Sequence, residues 1–386
     1  MEALSRGEIV IGLMAATSVF SELLENALNP EGVSRVRLWR LAVPLVHAVA
    51  AAHGTETVRH SVVVELTRRS GATGWGECVA LAAPTYSAEW AEGAWLALCE
   101  QLVPAFFAGV LPTIVGHPMA HFAVQGAALD GRLVESATSL AAAVGAARTA
   151  LPRTQVLGRQ SSVEALSQRV DLSAALVKVK IQAGWDIEPL RALREGFPQL
   201  ALAADANGAY TRSSGPWAAL DELDLTYLEQ PLGACDLLGH AELARVLRTP
   251  IALDESIRDS GDVALAKHLG AAAIVNLKPG RLGGFCSFLA ASDNGLQGFV
   301  GGMYELGIAR ATTVALAARE ECCLPTDLGP SDQYVATDIT DPIECDSEGR
   351  LRVPNGPGIG VAVRREVLRA ASVRPPLDLL NPGRLR

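Results

Sequence analysis

Short apolar runs recur along the middle of the chain, and each run carries a charged residue at or near its end. Runs of this length, bounded by turn residues, predict buried parallel β-strands. The charged residues Lys180, Asp205, Glu229, Asp254 and Lys278 follow one another at intervals of 24 or 25 positions, which leaves room for a helix between strands. The runs occupy residues 175–181, 201–206, 225–229, 250–254 and 273–278.

The segments between these runs begin with serine, aspartate or proline, as helices commonly do. The predicted helices occupy residues 187–195, 217–223 and 262–269. A β-then-α unit that repeats at this interval predicts a closed (β/α) barrel, in which the C-terminal ends of the strands converge on one mouth. In an open doubly wound sheet the same ends would lie along an edge. We therefore favour an α/β fold with a modified (β/α) TIM-type barrel.

The N-terminal region has a different pattern. Three runs, at residues 36–43, 61–66 and 74–79, predict an antiparallel meander, and helical patterns follow at residues 87–102 and 119–129. Two late runs, residues 349–353 and 360–363, come after the barrel should be complete. We expect them to be strands through which the chain returns to complete an α+β capping domain.

These patterns divide the chain into four parts. Residues 9–20 are apolar but too short to cross a bilayer, and no basic leader precedes them, so we expect neither an anchor nor a signal peptide. A helix is predicted within the first part, over residues 18–28. The parts are an N-terminal extension (1–34), the α+β capping domain (35–150), the barrel (151–345) and the C-terminal return segment (346–386).

Charge and cysteine content restrict the partners and the compartment. The formal net charge is −9, which argues against nucleic acid or an anionic membrane as partner. The seven cysteines are odd in number and form no CxxC pair, so we expect free thiols in a reducing cytoplasm. The expected ligand is a small anionic carboxylate substrate, attracted locally by lysines and a metal ion, and the chain is expected to be a homo-oligomer.

Lysine is scarce, and its placement indicates a function. Three of the four lysines, Lys178, Lys180 and Lys278, lie at the ends of predicted strands. Unlike arginine, lysine can lose its proton and act as a base. Lys178 and Lys180 are two residues apart and so share a face of their strand. We expect their proximity to lower the pKa of each amine, and we expect Lys278, four strands later, to stand on the opposite wall.

Three carboxylates, Asp205, Glu229 and Asp254, are expected at the same mouth. Such oxygen ligands suit Mg²⁺, with Mn²⁺ as a substitute, and no histidine near these strand ends favours zinc. The alternative is that each carboxylate pairs with a nearby arginine or lysine. A divalent ion flanked by two lysines suits removal of a proton from the carbon next to a carboxylate, with an enediolate intermediate. Racemisation, epimerisation and dehydration all remain open at this point.

The motifs around these residues resemble the enolase superfamily, muconate-lactonizing subgroup. They are KVK at 178–180, DANGAY from Asp205, LEQP around Glu229, LDES around Asp254 and NLKPGRLGG around Lys278. Further segments resemble the o-succinylbenzoate synthase and N-acylamino acid racemase family within it. Those segments are GTET at 54–57, GWGEC at 74–78, GGMYELGIAR at 301–310 and SDQYVATDI from Ser331.

The resemblance implies roles for individual residues. It implies that Asp205, Glu229 and Asp254 bind Mg²⁺, that Lys180 is the base and Lys278 faces it, and that Lys178 helps to hold the substrate carboxylate. Further residues implied to lie near the substrate are Asn207, Gly302, Met303 and Glu305.

The resemblance also implies the reaction. It indicates o-succinylbenzoate synthase, a lyase of menaquinone biosynthesis, or N-acylamino acid racemase, with muconate-type cycloisomerase or dipeptide epimerase as alternatives. An epimerase would need an acid for the substrate amine, and Asp327 or Asp332 is a candidate. A non-catalytic binding protein is the alternative of another class. It would follow from the short interval 284–301 and the nearly featureless loop 48–53, where only His53 offers a contact.

Overall fold

The computed structural model of the protein describes residues 19–51 and 54–382. The strands are β1 (Val33–Ala51), β2 (Gly54–Arg68), β3 (Thr73–Cys78), β4 (Ala150–Leu151), β5 (Thr154–Leu157), β6 (Leu176–Lys180), β7 (Leu202–Asp205), β8 (Leu228–Glu229), β9 (Ile251–Leu253), β10 (Ile274–Leu277), β11 (Gln297–Val300), β12 (Leu351–Arg352) and β13 (Leu377–Leu380). The helices are α1 (19–28), α2 (Ala91–Ala97), α3 (Val103–Phe107), α4 (Pro118–Glu135), α5 (Leu140–Ala143), α6 (Val163–Ser167), α7 (Ile187–Gly196), α8 (Trp217–Asp221), α9 (Leu237–Val246), α10 (Ser260–Leu269), α11 (Phe285–Ser292), α12 (Gly307–Ala317) and α13 (Arg365–Ala370).

An antiparallel sheet in the order β13-β1-β2-β3 forms the centre of the cap. Helix α4 packs closely on β3 because two residues of that strand are glycines. A Cβ at Gly76 would lie 1.9 Å from the carbonyl oxygen of Ala123, and one at Gly74 would lie 2.1 Å from that of Ala127. Since real Cβ contacts are never this short, only glycine permits the helix to approach the strand so closely.

The C-terminal return differs from the prediction. The predicted strand at residues 349–353 is reduced to β12, which pairs with β4 rather than with the cap sheet. Residues 360–363 form no strand and contribute only an isolated bridge between Thr340 and Val363. The chain instead returns to the cap through β13, whose Leu377 pairs with Leu38 of β1. Only Leu351 of these two runs is buried, and the edge of the cap sheet beside β1 is taken by the later segment β13.

The second large sheet confirms the predicted barrel. Its strands run parallel in the order β11-β10-β9-β8-β7-β6-β5, with helices between successive strands. An irregular segment around Thr326 connects the two edges of this sheet. Thr326 N donates to Pro152 O (3.0 Å), Thr154 N donates to Thr326 O (2.7 Å), and Asp327 N donates to Val300 O (3.2 Å). The barrel is thus closed by seven strands and one irregular eighth segment. The limits of the four predicted parts of the chain stay predictions.

The interior of the barrel is filled by one layer of apolar side chains from successive strands. Side chains two positions apart on a strand share a face, so Lys178 projects into the interior just above Leu176. Its Nζ lies 5.2 Å from the centroid of the Phe299 ring. This layer closes the barrel beneath the lysines, and it consists of Leu176, Ala203, Tyr227, Ala252, Ile274 and Phe299.

The N-terminal helix α1 packs on the barrel helix α11. Phe20, Leu24 and Ala27 are buried, and the Phe20 ring centroid lies 5.8 Å from that of Phe285 on α11. Helix α11 has only eight residues, but the short interval still contains both this helix and β11, separated by a turn in which Gly295 has φ +85°. The chain before residue 19, including most of the apolar stretch 9–20, lies outside the described residues, as does His53.

Candidate active site at the carboxyl ends of the barrel strands

Strand register places three of the predicted site residues side by side at the carboxyl ends of the barrel strands. Lys180 pairs with Asp205 across β6 and β7, and Asp205 pairs with Glu229 across β7 and β8. Residues paired in this way in a parallel sheet project to the same face. Asp254 and Lys278 follow directly after β9 and β10, the next two strands. The barrel order therefore brings together side chains that are far apart in sequence.

These side chains line one cavity of about 810 Å³ at the mouth of the barrel. A smaller adjoining cavity of about 240 Å³ lies under the cap, where Leu81, Thr85 and Tyr86 form part of its wall. The smaller cavity is also lined by Gly302 and Met303. Residues that line both cavities are Lys180, Asn207, Asp254, Lys278, Gly302 and Tyr304.

Glu305 has a different place from the one implied by the resemblance. Its side chain is buried, it lines neither cavity, and its carboxylate accepts a hydrogen bond from Met303 N at 2.9 Å. It supports the loop that carries Gly302 and Met303. The structure therefore gives Glu305 an indirect position behind the substrate cavity, which sequence motifs alone do not distinguish from direct contact.

The amines on the β6 wall are ion-paired. Lys178 Nζ donates to Glu229 Oε2 and Asp327 Oδ2, both at 2.5 Å, and its side chain is buried. Lys180 Nζ donates to Asp205 Oδ2 at 2.6 Å and to the side-chain oxygen of Asn207 at 2.8 Å. Because Lys180 is partly exposed to the cavity whereas Lys178 is not, Lys180 is the amine that a substrate can reach from this wall.

The opposite wall carries a second cluster of charges. Lys278 Nζ donates to Asp254 Oδ2 at 2.7 Å and to the Tyr86 hydroxyl at 3.0 Å. Arg281 Nη1 donates to Asp254 Oδ1 at 2.7 Å, and it also donates to the Tyr86 hydroxyl. Burial raises the pKa of Asp254, but the two cations outweigh burial and leave it lowered. Asp254 is therefore an anion held by two positive charges.

The prediction that Lys178 and Lys180 have lowered pKa values is wrong for the side-chain arrangement in this structure. Burial is the largest influence and lowers the pKa of Lys180, but Asp205 and the other negative groups around the amine together outweigh burial and Lys178, so the net pKa is raised. Burial also lowers the pKa values of Lys178 and Lys278, but the surrounding negative groups, led by Asp327 and Glu229 for Lys178 and by Asp254 for Lys278, leave both raised. Lys178, Lys180 and Lys278 each contact a carboxylate, which the spacing along the chain does not reveal.

The donor set fits a hard divalent cation, although it is not arranged as a closed ligand sphere. Burial, followed by the charge of Asp205, raises the pKa of Glu229, so positive charge placed beside Glu229 would stabilise its anion. Two buried side-chain oxygens beside them, Glu255 Oε2 and Asn276 Oδ1, have no hydrogen-bond partner. Within residues 19–51 and 54–382, however, no three His, Cys, Asp or Glu side chains are gathered closely enough to hold a metal. The lysine amines of the site are instead ion-paired with Asp205, Glu229 and Asp254.

Several residues of the site were not predicted. Arg281 lies three residues after Lys278 inside a quoted motif, so its spacing was a usable signal. Asn276, whose Nδ2 donates to Glu229 Oε1 at 2.7 Å, lies inside its strand and two residues before Lys278, which places both on one face. Tyr86 comes from the cap, and no pattern along the chain predicts its contact with Lys278. Glu255 was also not predicted, although it is adjacent to Asp254 in the LDES motif.

Comparison with known proteins identifies the family. The family model described as enolase C-terminal domain-like matches residues 162–367, which is more than half of the chain. The chain belongs to the enolase superfamily. It is 41% identical over 356 residues to an N-succinylamino acid racemase of Amycolatopsis sp., covering 87% of this chain and 96% of that protein. It is 37% identical to an o-succinylbenzoate synthase of Geobacillus kaustophilus, covering 87% and 95% of the two chains.

A solved structure supports the same assignment for the fold. A crystal structure of an enolase-superfamily member from Listeria innocua superimposes with a TM-score of 0.85 at 34% identity, covering 90% of this chain and 99% of that one. The predicted fold class and family are therefore confirmed, while the roles of individual site residues stay predictions. Among the described helices, none is long and apolar enough to span a membrane.

Proposed function

We propose that this member of the enolase superfamily is a Mg²⁺-dependent enzyme that removes the proton next to a substrate carboxylate through an enediolate. Its reaction would be that of o-succinylbenzoate synthase in menaquinone biosynthesis, that of N-acylamino acid racemase, or both. The observation that carries the proposal is the placement of Lys180 and Lys278 on strands four apart, both lining one cavity with three carboxylates between them. Relatives at 41% and 37% identity carry these two names.

Asp205, Glu229 and Asp254 would hold Mg²⁺, with the unpaired oxygens of Glu255 and Asn276 close by. When bound, Mg²⁺ supplies positive charge that stabilises the enediolate, a contribution of several kcal/mol. Mn²⁺, which accepts the same oxygen ligands, would substitute. Removing the divalent ion with EDTA is expected to abolish turnover, and either ion is expected to restore it.

Lys180 is proposed as the base because it is the exposed amine of its wall. Asp205 and Asn207 accept hydrogen bonds from its ammonium group and orient it. A divalent cation held by Asp205 would offset the negative charge that raises the pKa of Lys180, which would allow the amine to become the neutral base. A positioned base of this kind contributes roughly 10² to 10⁴ in rate. Lys178 remains charged beneath it, and we propose that its charge helps to attract the substrate carboxylate.

Lys278 decides between the two reactions. If it stays protonated, held by Asp254 and beside Arg281, it stabilises the substrate anion while a leaving group departs, which gives dehydration. If it delivers its proton to the opposite face of the carbon, the configuration is inverted, which gives racemisation. The approach of both amines from opposite walls supports either outcome at one site.

The deciding experiment assays two substrates side by side. The cyclohexadiene carboxylate precursor of o-succinylbenzoate reports dehydration, and N-succinyl amino acids in D₂O with Mg²⁺ report exchange of the α-proton by NMR. Lys180→Ala and Lys278→Ala are expected to lose exchange from opposite enantiomers. If no acidic substrate exchanges its α-proton or is dehydrated, the proposed reaction is wrong.

The alternatives receive less support. An epimerase of dipeptides needs a free acid for the substrate amine, but Asp327 is paired with Lys178 at 2.5 Å, and Asp332 lines neither cavity. Exchange with dipeptides but not with N-succinyl amino acids would favour it. A cycloisomerase would be revealed by lactone formation from a muconate. The non-catalytic alternative loses its main argument, because β11 and α11 are both formed in the short interval.

We also propose that the chain works as a homo-oligomer in the cytoplasm, with no nucleic acid or membrane partner. The negative net charge and the free cysteines support this compartment and these exclusions. Exposed apolar side chains on neighbouring barrel helices, Leu238 and Val246 on α9 and Leu265 on α10, support self-association. Light scattering after size-exclusion chromatography tests the oligomer, and a monomer at all concentrations would contradict it.

A further inference from the structure

Gln230, the residue after Glu229, has an unusual backbone conformation. Its φ is +40°, in the left-handed region that residues with a Cβ rarely adopt. Its side chain is fully buried. A conformation of this kind is strained and persists only where the surroundings enforce it. The hydrogen bonds of Gln230 therefore show which neighbouring segments enforce this conformation.

The main chain of Gln230 is bonded to the strands on both sides. Its N–H donates to Ala252 O at 2.8 Å. Ala252 lies on β9, two residues before Asp254. Its carbonyl accepts a hydrogen bond from Gly208 N at 2.7 Å, in the turn that follows Asp205. One peptide segment thus connects the turn after the first carboxylate with the strand that leads to the third.

The side-chain amide extends this connection. Oε1 accepts hydrogen bonds from Asp254 N at 3.0 Å and from Ser256 N at 3.2 Å. Nε2 donates to Leu232 O at 3.0 Å and to Ser256 Oγ at 2.8 Å. Both acceptor sites and both donors of the amide are therefore used. Gln230 bonds to the backbone of Asp254 itself but to no carboxylate oxygen.

We propose that Gln230 is a positioning residue that sets the relative placement of Asp205, Glu229 and Asp254 for a divalent cation. It follows the second carboxylate directly and is hydrogen-bonded to the segments that carry the first and the third. The inference rests on the proposed function only in assuming that these carboxylates bind a metal. Groups outside the ligand set that orient ligands change metal affinity by 10- to 100-fold when removed.

The main variant is Gln230→Met, which keeps the length of the side chain but leaves Asp254 N and Ser256 N without their acceptor. The matched control is Gln125→Met on α4. Gln125 is also a buried glutamine whose Oε1 accepts a backbone N–H, that of Phe285 at 3.1 Å, and it lines neither cavity. Both variants lose buried hydrogen bonds, but only Gln230→Met disturbs the carboxylates.

Three measurements separate positioning from general stability. Mn²⁺ affinity, by electron paramagnetic resonance, is expected to fall 10- to 100-fold in Gln230→Met and to change less than twofold in Gln125→Met. Hydrogen exchange of the amides of Asp254 and Ser256, followed without metal, is expected to accelerate only in Gln230→Met. The melting temperature is expected to fall in both variants.

A graded variant keeps the test decisive if Gln230→Met does not fold. Ser256→Ala removes one partner of Nε2 and leaves the hydrogen bond that Asp254 N donates to Oε1, so Mn²⁺ affinity is expected to fall only about two- to fivefold. Wild-type affinity in a folded Gln230→Met, or in Ser256→Ala if Gln230→Met is unfolded, would overturn the inference, and so would equal losses in the two glutamine variants.

Failure of the proposed function can be recognised separately. Wild-type protein that binds Mn²⁺ but converts no substrate would contradict the proposed reaction and leave the role of Gln230 intact. Wild-type protein that binds no divalent cation would overturn both.

Discussion

The carboxylate of Asp130 allows a quantitative prediction about stability and pH. Asp130 lies on α4 and is almost fully buried, and it accepts hydrogen bonds from Trp75 N of β3 at 2.8 Å and from Ile359 N of the C-terminal segment at 2.7 Å. It therefore joins three separate parts of the chain. Burial raises its pKa to about 7 from the ordinary value of 3.8, and the two N–H groups lower it only in part.

A raised pKa means that the folded state binds the proton more tightly than the unfolded state. The free energy of unfolding should therefore fall as the pH rises from about 4 to about 7, since the folded chain must then ionise a buried carboxyl. A shift of about three pKa units corresponds to about 4 kcal/mol. Below pH 4 Asp130 costs no stability through ionisation, and above pH 7 the full cost is present.

The variant Asp130→Asn removes this titration. Asparagine accepts one of the two N–H groups but presents an NH₂ to the other, so we expect a loss of about 1–3 kcal/mol that does not depend on pH. Urea unfolding from pH 4.5 to 8 is the assay. The variant should be less stable than wild type at pH 4.5, and the difference should shrink or reverse by pH 8.

A surface carboxylate provides the control. Asp378 is held by Arg37, whose hydrogen bonds lower the pKa of Asp378, so its contribution to stability is present at neutral pH and lost in acid. Because that loss occurs only below about pH 4, Asp378→Asn should keep a nearly constant difference from wild type between pH 4.5 and 8, unlike Asp130→Asn. If the curves of wild type and Asp130→Asn stay parallel across the range, Asp130 does not titrate there and the reasoning is refuted.

Three further predictions concern catalysis and packing. Lys180→Ala should lower α-proton exchange from one of the two substrate enantiomers roughly 10² to 10⁴-fold with an unchanged far-ultraviolet circular dichroism spectrum, and exchange of both enantiomers at the wild-type rate would exclude Lys180 as the base. Phe20→Ala should lower the free energy of unfolding by about 3 kcal/mol, because the ring is buried against Phe285; a loss below about 1 kcal/mol would mean that α1 is not docked in solution. Gly76→Ala should destabilise the cap by about 1–3 kcal/mol, since its Cβ would meet Ala123 O at 1.9 Å, and unchanged thermal stability would contradict the close packing of α4.

The barrel shows how much of the fold the periodic pattern of apolar runs predicts. Five apolar runs at a constant interval were enough to predict β6 to β10, because each strand is buried on both faces and so consists almost wholly of apolar residues. The same interval placed Lys278 on the wall opposite Lys180, and the observed strand order places it there. By contrast, the runs at 349–353 and 360–363 do not pair with the cap sheet, since pairing depends on which edges remain open and β13 takes the edge beside β1.

The sequence by itself determined the order of the barrel elements, the level at which the lysines and carboxylates stand, and the family. Each of these follows from spacing along the chain. Only the tertiary structure decided the charge state of those lysines, the contact of Tyr86 with Lys278, and the connection of three strands by Gln230. The physical reason is that hydrogen bonds, burial and electrostatic interactions depend on distances in space, and residues far apart in sequence come within those distances only when the barrel closes under its cap.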